Sequence, residues 1–352
     1  MRLVQWLEPK SRRRHVGMLR EEQGEERAVS ATSIFPKLKT TLDVLRAREI
    51  GRPRGDADRA FWDRFSRATR RPWPDLWNTP FDASSPHLLP PIDVPENPYA
   101  FTLWGAGVTH LRSAKAREEE AKAVRGRPAS FYDLIYQTGL AGGKPRRLPG
   151  ARPEIFYKAD GYYAVGPNQP LRIARSAVRC VPEPEIVSYY AARSGRLKTH
   201  IIYGGAAVRL GYTLGNDFSD QGWESQNPLY LPHAKTQRGL AAIGPIFVTV
   251  DDALFDSREI AIRCRVFRRG AVQQDSGALR TGEKHMAHSL ANLECHLFDN
   301  RPLRPAEIRG LFWGTSAVFK LPLKSGDRIE IEASSGLGAL RNPVLDSRPG
   351  MG

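Results

Sequence analysis

Cysteine is scarce in this chain, and long apolar runs are missing from it. Cys180, Cys264 and Cys295 are widely spaced and include no Cys-x-x-Cys pair, which argues against a disulfide framework and against a zinc ribbon. No run of about 18 apolar residues is present to cross a bilayer, and the segment 1–14 lacks the apolar core of a signal peptide. These features predict a protein of the reducing cytoplasm.

Acidic residues are outnumbered by basic ones, 38 against 53, which gives a formal net charge of +15. A charge of this size raises nucleic-acid binding as one class of function. The arginines are spread along the chain, however, without the aromatic pattern of an RNA platform or a helix-turn-helix signature. Because a positive surface also suits an enzyme with an anionic substrate, no specific nucleic-acid partner is expected.

Two glutamates, Glu183 and Glu185, stand two residues apart and alternate with Pro182 and Pro184. On an extended strand both carboxylates project from one face, and the prolines keep the backbone out of a helix. Adjacent anions repel unless water screens them or a cation holds them together. With Asp217 from a later strand, these oxygen ligands suit Mg²⁺ or a similar ion. The alternative is a solvated charge pair on an exposed edge strand.

This stretch resembles the metal site of the fumarylacetoacetate hydrolase superfamily. That family has a Glu-x-Glu pair followed about thirty residues later by a Gly-Tyr-x-x-x-Asn-Asp-x-Ser segment, which stands here at 211–219. The resemblance implies that Glu183, Glu185 and Asp217 are the metal ligands. It also implies Mg²⁺ as the cofactor, with Mn²⁺ or Ca²⁺ as alternatives, and a homodimer.

The segment 109–123 has the pattern of a charged helix. In the family's hydrolases the matching segment carries a histidine that activates water. Ser113 stands at that position here, and His110 is nearby but out of register. Both are candidate catalytic residues, and His110 would support hydrolysis if the segment shifted by one turn. The segment is more similar to the 2-keto-3-deoxyarabonate dehydratase branch of the family, which implies roles for Glu119 as an acid or base and for Arg117 in substrate binding. The alternative is that Glu118–Glu120 form a solvated helix face.

Five further residues fall on motifs of that branch. Lys235 ends the segment 227–235, Asn-Pro-Leu-Tyr-Leu-Pro-His-Ala-Lys, and takes the place of the family's active-site lysine. Its ammonium would stabilise an enolate, or with a lowered pKa it would accept the C3 proton. The resemblance also implies substrate-binding roles for four residues, which are Lys158, Glu224, Tyr230 and Thr315.

Two stretches depart from the family or leave alternatives open. Asp220-Gln221-Gly222 replaces a sequence whose Arg and Asp normally brace the loop after Ser219. His285 and His288 are three residues apart, so on a helix they would share one face and bind zinc, or they would serve as ordinary polar or packing residues.

Many short strands with few helices predict an α+β, β-rich fold, and the resemblance implies a mixed β-roll. Strands are expected at 3–7, 99–108, 152–158, 201–203, 206–216, 241–250, 259–267 and 328–333, and helices at 39–50 and 56–69. The chain is expected to divide into a smaller N-terminal accessory domain and linker, 1–95, and a catalytic domain, 96–352.

The resemblance implies an Mg²⁺-dependent lyase that dehydrates a 2-keto-3-deoxy sugar acid such as 2-keto-3-deoxyarabonate. One alternative is hydrolytic C–C cleavage of an acylpyruvate or diketo acid on the same metal site. Another is a catalytically silent or nucleic-acid-binding protein, since the loop 220–222 is altered.

Overall fold

The computed structural model describes residues 1–47, 58–81, 83–107, 110, 142–195, 197, 199–253, 255–315, 317 and 319–348. The strands are β1 (Arg2–Glu8), β2 (Arg13–Glu22), β3 (Glu25–Ser30), β4 (Arg70–Pro72), β5 (His87–Leu88), β6 (Phe101–Gly107), β7 (Glu154–Asp160), β8 (Leu171–Ile173), β9 (Cys180–Val181), β10 (Pro184–Ala191), β11 (Val208–Asn216), β12 (Ser219–Asp220), β13 (Ala242–Thr249), β14 (Ile260–Arg268), β15 (Ala271–Asp275), β16 (Leu279–Thr281), β17 (Ile308–Trp313), β18 (Arg328–Ala333) and β19 (Ala339–Asp346). The helices with described bounds are α1 (Thr41–Arg46), α2 (Arg59–Asp63), α3 (Trp73–Asn78), α4 (Gln221–Glu224), α5 (Leu231–Lys235) and α6 (Leu290–Phe298).

Most of these strands belong to two sheets. The large sheet has the order β4-β3-β2-β1-β13-β11-β10-β17-β6-β7, with β5 beside β1. The smaller sheet has the order β15-β14-β18-β19-β8, with β16 beside β14, and β9 pairs with β12. This sheet-rich architecture with short helices confirms the predicted α+β, β-rich fold.

Strand β10 lies inside the large sheet, and all eight of its residues are buried. Successive side chains of a strand point to opposite faces. Ile186 accordingly packs into a cluster with the smaller sheet and α6, whereas Val187 packs into a second cluster with α1 and α2. Burial on both faces explains why apolar and polar residues do not alternate along this strand.

The N-terminal segment contributes strands to the same large sheet. Arg2 and Leu3 of β1 pair with Val248 and Phe247 of β13, and β1, β2 and β3 form an antiparallel meander. The sheet therefore runs without interruption across the predicted boundary at residue 95, and the division into 1–95 and 96–352 stays a prediction.

Several strand ends meet at one edge of the large sheet. Pro184 at the start of β10 pairs with Asn216 at the end of β11, which in turn pairs with Ala242 at the start of β13. On the other side of β10, Trp313 at the end of β17 pairs with Ile186. Residues that precede or follow these strands are thereby brought to one place, including both halves of the predicted metal motif.

Local predictions had mixed outcomes. Six of the predicted strands lie within two residues of β1, β6, β11, β13, β14 and β18, and the strand expected at 152–158 is β7. The strand expected at 201–203 is wrong, because Tyr203–Gly205 form a 3-10 turn in which Gly204 has a φ of 77°. The predicted helices are shorter, with α1 capped by Thr40 and α2 by Asp58. No helix in the described ranges is long and apolar enough to cross a membrane.

Candidate active site

Asp217 lies at the centre of a buried cluster of charged side chains. Its Oδ1 is 2.6 Å from the ammonium nitrogen of Lys158, and its Oδ2 accepts a hydrogen bond of 3.0 Å from Lys235. The Lys235 ammonium also donates to Oε2 of Glu183 at 2.8 Å. The Asp217 carboxylate is thus held by the ammonium groups of Lys158 and Lys235, and Lys235 also joins it to the Glu183 carboxylate.

A β-bulge places Lys158 in this cluster. In the pairing of β6 with β7, Leu103 faces Ala159 and Trp104 faces Tyr157, so Lys158 is the extra residue of the bulged strand. Bulges redirect side chains next to functional sites. The Lys158 side chain is 0% exposed, and its ammonium also donates to the carbonyl of Phe218 at 2.7 Å.

Lys235 reaches the cluster from the last residue of α5. This short helix lies before β13, whose start is at the same edge of the large sheet. Lys235 is 4% exposed, and its ammonium also lies 5.3 Å from the ring centroid of Phe156. An aromatic face attracts a cation electrostatically, so the site favours the charged form of this side chain.

Glu183 is oriented by backbone and side-chain contacts from the end of β11. Its backbone N–H donates to Oδ1 of Asn216 at 3.0 Å, and its carbonyl accepts from the backbone N–H of Asp217 at 2.9 Å. The carboxylate Oε1 accepts from Nε2 of Gln221 at 3.2 Å. These bonds connect the two halves of the motif, which are more than thirty residues apart in the sequence.

One of the buried oxygens of Glu185, Oε2, has no hydrogen-bond partner among the described residues. The side chain is 8% exposed. Burial raises the pKa of Glu185 well above its usual value, and the charges of Asp217 and Glu183 raise it further. An unpaired buried carboxylate oxygen is costly, and it marks a point at which a cation would be stabilised.

The two lysines and the other two carboxylates influence one another strongly. Burial alone would raise the pKa of Asp217, but the ammonium groups of Lys158 and Lys235 outweigh burial and lower it. Burial alone would lower the pKa of Lys235, but Asp217 and Glu183 outweigh burial and raise it well above the usual value. Burial raises the pKa of Glu183, against the opposing effect of Lys235. The pairing of Lys235 with two carboxylates matches its predicted role as a charged donor.

Asp220 braces the loop that departs from the family sequence. Its carboxylate accepts hydrogen bonds from the backbone N–H groups of Val178 and Arg179, both at 2.8 Å, and from that of Gly222 at 3.1 Å. It is the N-cap of α4 and satisfies donors that this helix start would otherwise leave unpaired. Asp220 therefore fixes the altered loop in place of the Arg and Asp of the family sequence. The loop positions Gln221 next to Glu183.

The predicted substrate-binding residues have different surroundings. The Lys158 ammonium faces Asp217 and not open space, so its placement gives no support to a contact with a substrate carboxylate. Glu224 is half-buried, and its charge raises the pKa of both Glu183 and Lys235, which places it beside the cluster. Tyr230 is 40% exposed and packs edge-on against Trp223.

Thr315 follows Gly314 just beyond the end of β17. Its Oγ1 is buried and has no hydrogen-bond partner among the described residues. Because Trp313 pairs with Ile186, the two residues after Trp313 continue toward the level of Glu185 and Pro184. The roles of Thr315, Glu224, Tyr230 and Lys158 in binding stay predictions.

His110 lies beside β16 and the turn that follows it. His110 forms an isolated bridge with Met286, its Nε2 bonds to the carbonyl of Arg280 at 3.1 Å, and its ring stacks 6.4 Å from that of His285. These three contacts place His110 beside the segment 280–286. Three other predicted residues, Ser113, Arg117 and Glu119, lie outside the described residues.

The prediction that His285 and His288 share a helical face is wrong. His285 ends a 3-10 turn and bonds to Glu259 at 3.0 Å, whereas α6 begins at Leu290 after its N-cap Ser289. The His288 ring accepts a hydrogen bond of 3.1 Å from Asn292. In the described ranges no group of three or more His, Cys, Asp or Glu side chains is arranged to hold a metal ion.

Sequence reasoning missed four residues of the site, Phe156, Asn216, Gln221 and Asp220. Asn216 stands inside the matched motif, and Gln221 inside the departure from it, so both stretches were visible in the sequence. Their contacts were not visible, because the partner of each is Glu183, which is more than thirty residues away in the sequence.

Comparison of the sequence with known proteins gives a family match and two curated relatives. The family model described as fumarylacetoacetate (FAA) hydrolase C-terminal matches residues 133–345. A probable 2-keto-3-deoxyxylonate dehydratase of Haloferax volcanii is 31% identical over 260 residues, which cover 73% of this chain and 75% of the relative. A 2-dehydro-3-deoxy-D-arabinonate dehydratase of Saccharolobus solfataricus is 27% identical over 270 residues, 76% of this chain and 78% of the relative.

Solved structures show the same fold. A 2-keto-3-deoxy-D-arabinonate dehydratase complexed with magnesium and 2,5-dioxopentanoate superposes with a TM-score of 0.68 at 21% identity, covering 99% of this chain and 100% of the other. A 5-carboxymethyl-2-hydroxymuconate delta-isomerase from Mycobacterium smegmatis superposes with a TM-score of 0.54 at 18% identity, with the same coverage. The family match over more than half of the sequence, together with the first relative, establishes that this chain is an enzyme of the fumarylacetoacetate hydrolase family.

Proposed function

We propose that this enzyme is a Mg²⁺-dependent dehydratase of a 2-keto-3-deoxy sugar acid. The observation that carries the proposal is the buried cluster in which Lys235 lies between Glu183 and Asp217, with the unpaired carboxylate oxygen of Glu185 in the same cluster. The two relatives that cover about three quarters of the chain are named as dehydratases of this substrate class.

The donor chemistry of the cluster suits a divalent cation, although in the described ranges Glu183 and Asp217 are paired with lysines and the carboxylates are not arranged around a metal position. Three carboxyl groups, Glu183, Glu185 and Asp217, stand against two ammonium groups, so ionisation of all three leaves one negative charge that a bound cation would compensate. Carboxylate oxygens are the ligands that Mg²⁺ prefers, and a structure in the same fold holds magnesium. We assign the ion to these three side chains. When bound there, Mg²⁺ would polarise the 2-keto group of the substrate and make its C3 proton more acidic.

The chain's own residues prepare the site for this chemistry. Lys158 compensates the charge of Asp217 from the side of the protein interior, which leaves Lys235 as the ammonium that faces the carboxylate pair. Charged Lys235 stabilises negative charge that develops on the keto oxygen when the C3 proton leaves. Gln221 holds Glu183 in one orientation. A carboxylate such as Glu119 completes the proton transfers, and the 4-hydroxyl leaves as water.

Substrate binding is assigned to residues around this cluster. The hydroxyl of Thr315, unpaired in the described structure, donates to the substrate carboxylate. Glu224 and Tyr230, from the segment that leads into α5, contact the hydroxyl-bearing end of the substrate, and Arg117 adds a positive charge. The active form is proposed to be a homodimer.

An isotope experiment tests the dehydratase assignment against hydrolytic C–C cleavage on the same site. The purified enzyme with Mg²⁺ is incubated in H₂¹⁸O with a 2-keto-3-deoxy acid and, separately, with an acylpyruvate. We expect loss of water from the first compound, with C3 deuterium exchange when D₂O is used. Lys235→Met is expected to abolish both the loss of water and the C3 deuterium exchange. Appearance of ¹⁸O in a carboxylate fragment of the acylpyruvate would contradict the proposal.

A further inference from the structure

The turn after β17 is approached by two threonine hydroxyls that lack hydrogen-bond partners among the described residues. Thr281, the last residue of β16, is 0% exposed, and its Oγ1 is unpaired among the described residues, as is the buried Oγ1 of Thr315. Roughly 90% or more of buried polar groups are hydrogen-bonded, and leaving one unpaired costs free energy. Two such groups in one place indicate donors kept for a ligand.

Gly314 brings these two threonines together. Its φ of +124° lies in a region that side chains with a Cβ rarely adopt. A Cβ built on Gly314 would lie 2.8 Å from Oγ1 of Thr281. The Thr281 hydroxyl therefore approaches the backbone immediately before Thr315, and it does so because residue 314 has no side chain.

The turn lies at the edge of the large sheet that carries the charged cluster. Phe312 of β17 pairs with Gly105 of β6, and Trp313 pairs with Ile186 of β10, the residue after Glu185. Gly314 and Thr315 continue beyond these pairs, toward the start of β10. The two unpaired hydroxyls are thus near the edge of the sheet at which the carboxylates lie.

We propose that Thr281 is a further substrate-binding residue, whose hydroxyl donates to the carboxylate of a 2-keto acid together with that of Thr315. The inference rests on the proposed function, since it takes the substrate to be a 2-keto acid. A carboxylate has two oxygens with about four acceptor positions, so two hydroxyl donors at one turn match it. Hydrogen bonds to charged groups are stronger than those between neutral groups, so the substrate gains from both donors.

Calorimetric titration of the Mg²⁺-loaded enzyme with 2-oxopentanoate tests the proposal. This 2-keto acid has no 4-hydroxyl and so undergoes no dehydration. We expect Thr281→Val to weaken its binding by about tenfold, and Thr281→Ser, which keeps the hydroxyl, to restore most of the affinity. In turnover, the Val variant should raise KM with little change in kcat, because a carboxylate contact is present in ground and transition states alike.

Thr213→Val is the matched control. Thr213 is also 0% exposed, with an unpaired Oγ1, but it lies inside β11, where it pairs with Val187. Its loss should leave the affinity for 2-oxopentanoate unchanged. Both Val variants should retain the wild-type melting temperature, since neither removes a hydrogen bond within the described structure.

The outcomes are distinguishable. Wild-type binding with unchanged affinity in Thr281→Val would overturn the inference and leave the proposed function standing. A melting temperature lowered by several degrees only in Thr281→Val would also overturn it, because the hydroxyl would then be bound inside the protein. Failure of the Mg²⁺-loaded wild type to bind any 2-keto acid would overturn the proposed function, and this inference with it.

Discussion

The ammonium nitrogen of Lys158 lies 2.6 Å from Oδ1 of Asp217, in a pair whose side chains are 0% and 4% exposed. Breaking a buried ion pair by removing one partner leaves the other charge uncompensated. The Asp217 carboxylate also contacts Lys235, so the two lysines neutralise it from different sides. Lys158 therefore supports the structure of the site, whereas Lys235 is the lysine that is proposed to act on the substrate.

Lys158→Met should destabilise the protein by about 3 kcal/mol, because it removes the buried counterion of Asp217 and retains the volume of the side chain. Urea unfolding followed by circular dichroism measures this change. The exposed Lys320 provides the control, and Lys320→Met should change the free energy of unfolding by less than about 0.5 kcal/mol. Equal stability of the two variants would show that Lys158 does not stabilise the fold.

Glu183→Gln should abolish Mg²⁺ binding and activity while leaving the fold intact. The amide keeps the shape of the carboxylate and an oxygen that accepts from Lys235, but it removes the negative charge proposed to hold the cation. Calorimetric titration with Mg²⁺ or Mn²⁺ measures the affinity. Glu259→Gln, which changes a carboxylate bound to His285 and Arg280, should bind as the wild type does. Unchanged affinity in Glu183→Gln would remove Glu183 from the metal site.

Gln221→Leu should weaken Mg²⁺ binding by about tenfold, since residues that orient a metal ligand contribute on that scale. The substitution removes the hydrogen bond of 3.2 Å from Nε2 to Oε1 of Glu183. Gln226→Leu is the matched control, because Gln226 is exposed and its side chain donates to the carbonyl of Gly222. If both variants bind Mg²⁺ equally, Gln221 does not position Glu183.

Acid should destabilise the protein in part through His288. Burial, aided by the charge of His296, lowers the pKa of His288 to about 4. Between this pKa and the usual histidine pKa of about 6.5, the unfolded chain binds more protons than the folded one, so the free energy of unfolding falls as pH decreases through this window. Each pKa unit corresponds to about 1.4 kcal/mol, so protonation of His288 lowers the free energy of unfolding by about 3 kcal/mol in total.

His288→Gln should remove this part of the pH dependence, since Gln retains an acceptor for Asn292 but does not titrate. Urea denaturation at intervals from pH 7 to pH 4 measures the slope. The exposed His233 provides the control, and His233→Gln should keep the wild-type slope. A slope that persists in His288→Gln would assign the acid sensitivity to other groups.

The amino-acid sequence determined the fold class and the identity of the charged residues at the site. Alternating and continuous apolar runs reflect which strand faces are buried, and the pair Glu183 and Glu185, the segment 211–219 and Lys235 are local in the chain. For the same reason the strands β1, β6, β11, β13, β14 and β18 were predicted nearly to their ends.

Tertiary structure decided which of these residues touch one another. The bulge that turns Lys158 toward Asp217, the contact of Gln221 with Glu183, and the approach of Thr281 to Gly314 each join residues from separate strands or loops. Such contacts depend on sheet register and on backbone angles at single residues. The hydrophobic periodicity of the sequence does not reveal either of these. The charge of Asp217 and Lys235 follows from this assembly, because burial and neighbouring charges set a pKa only after the strands have met.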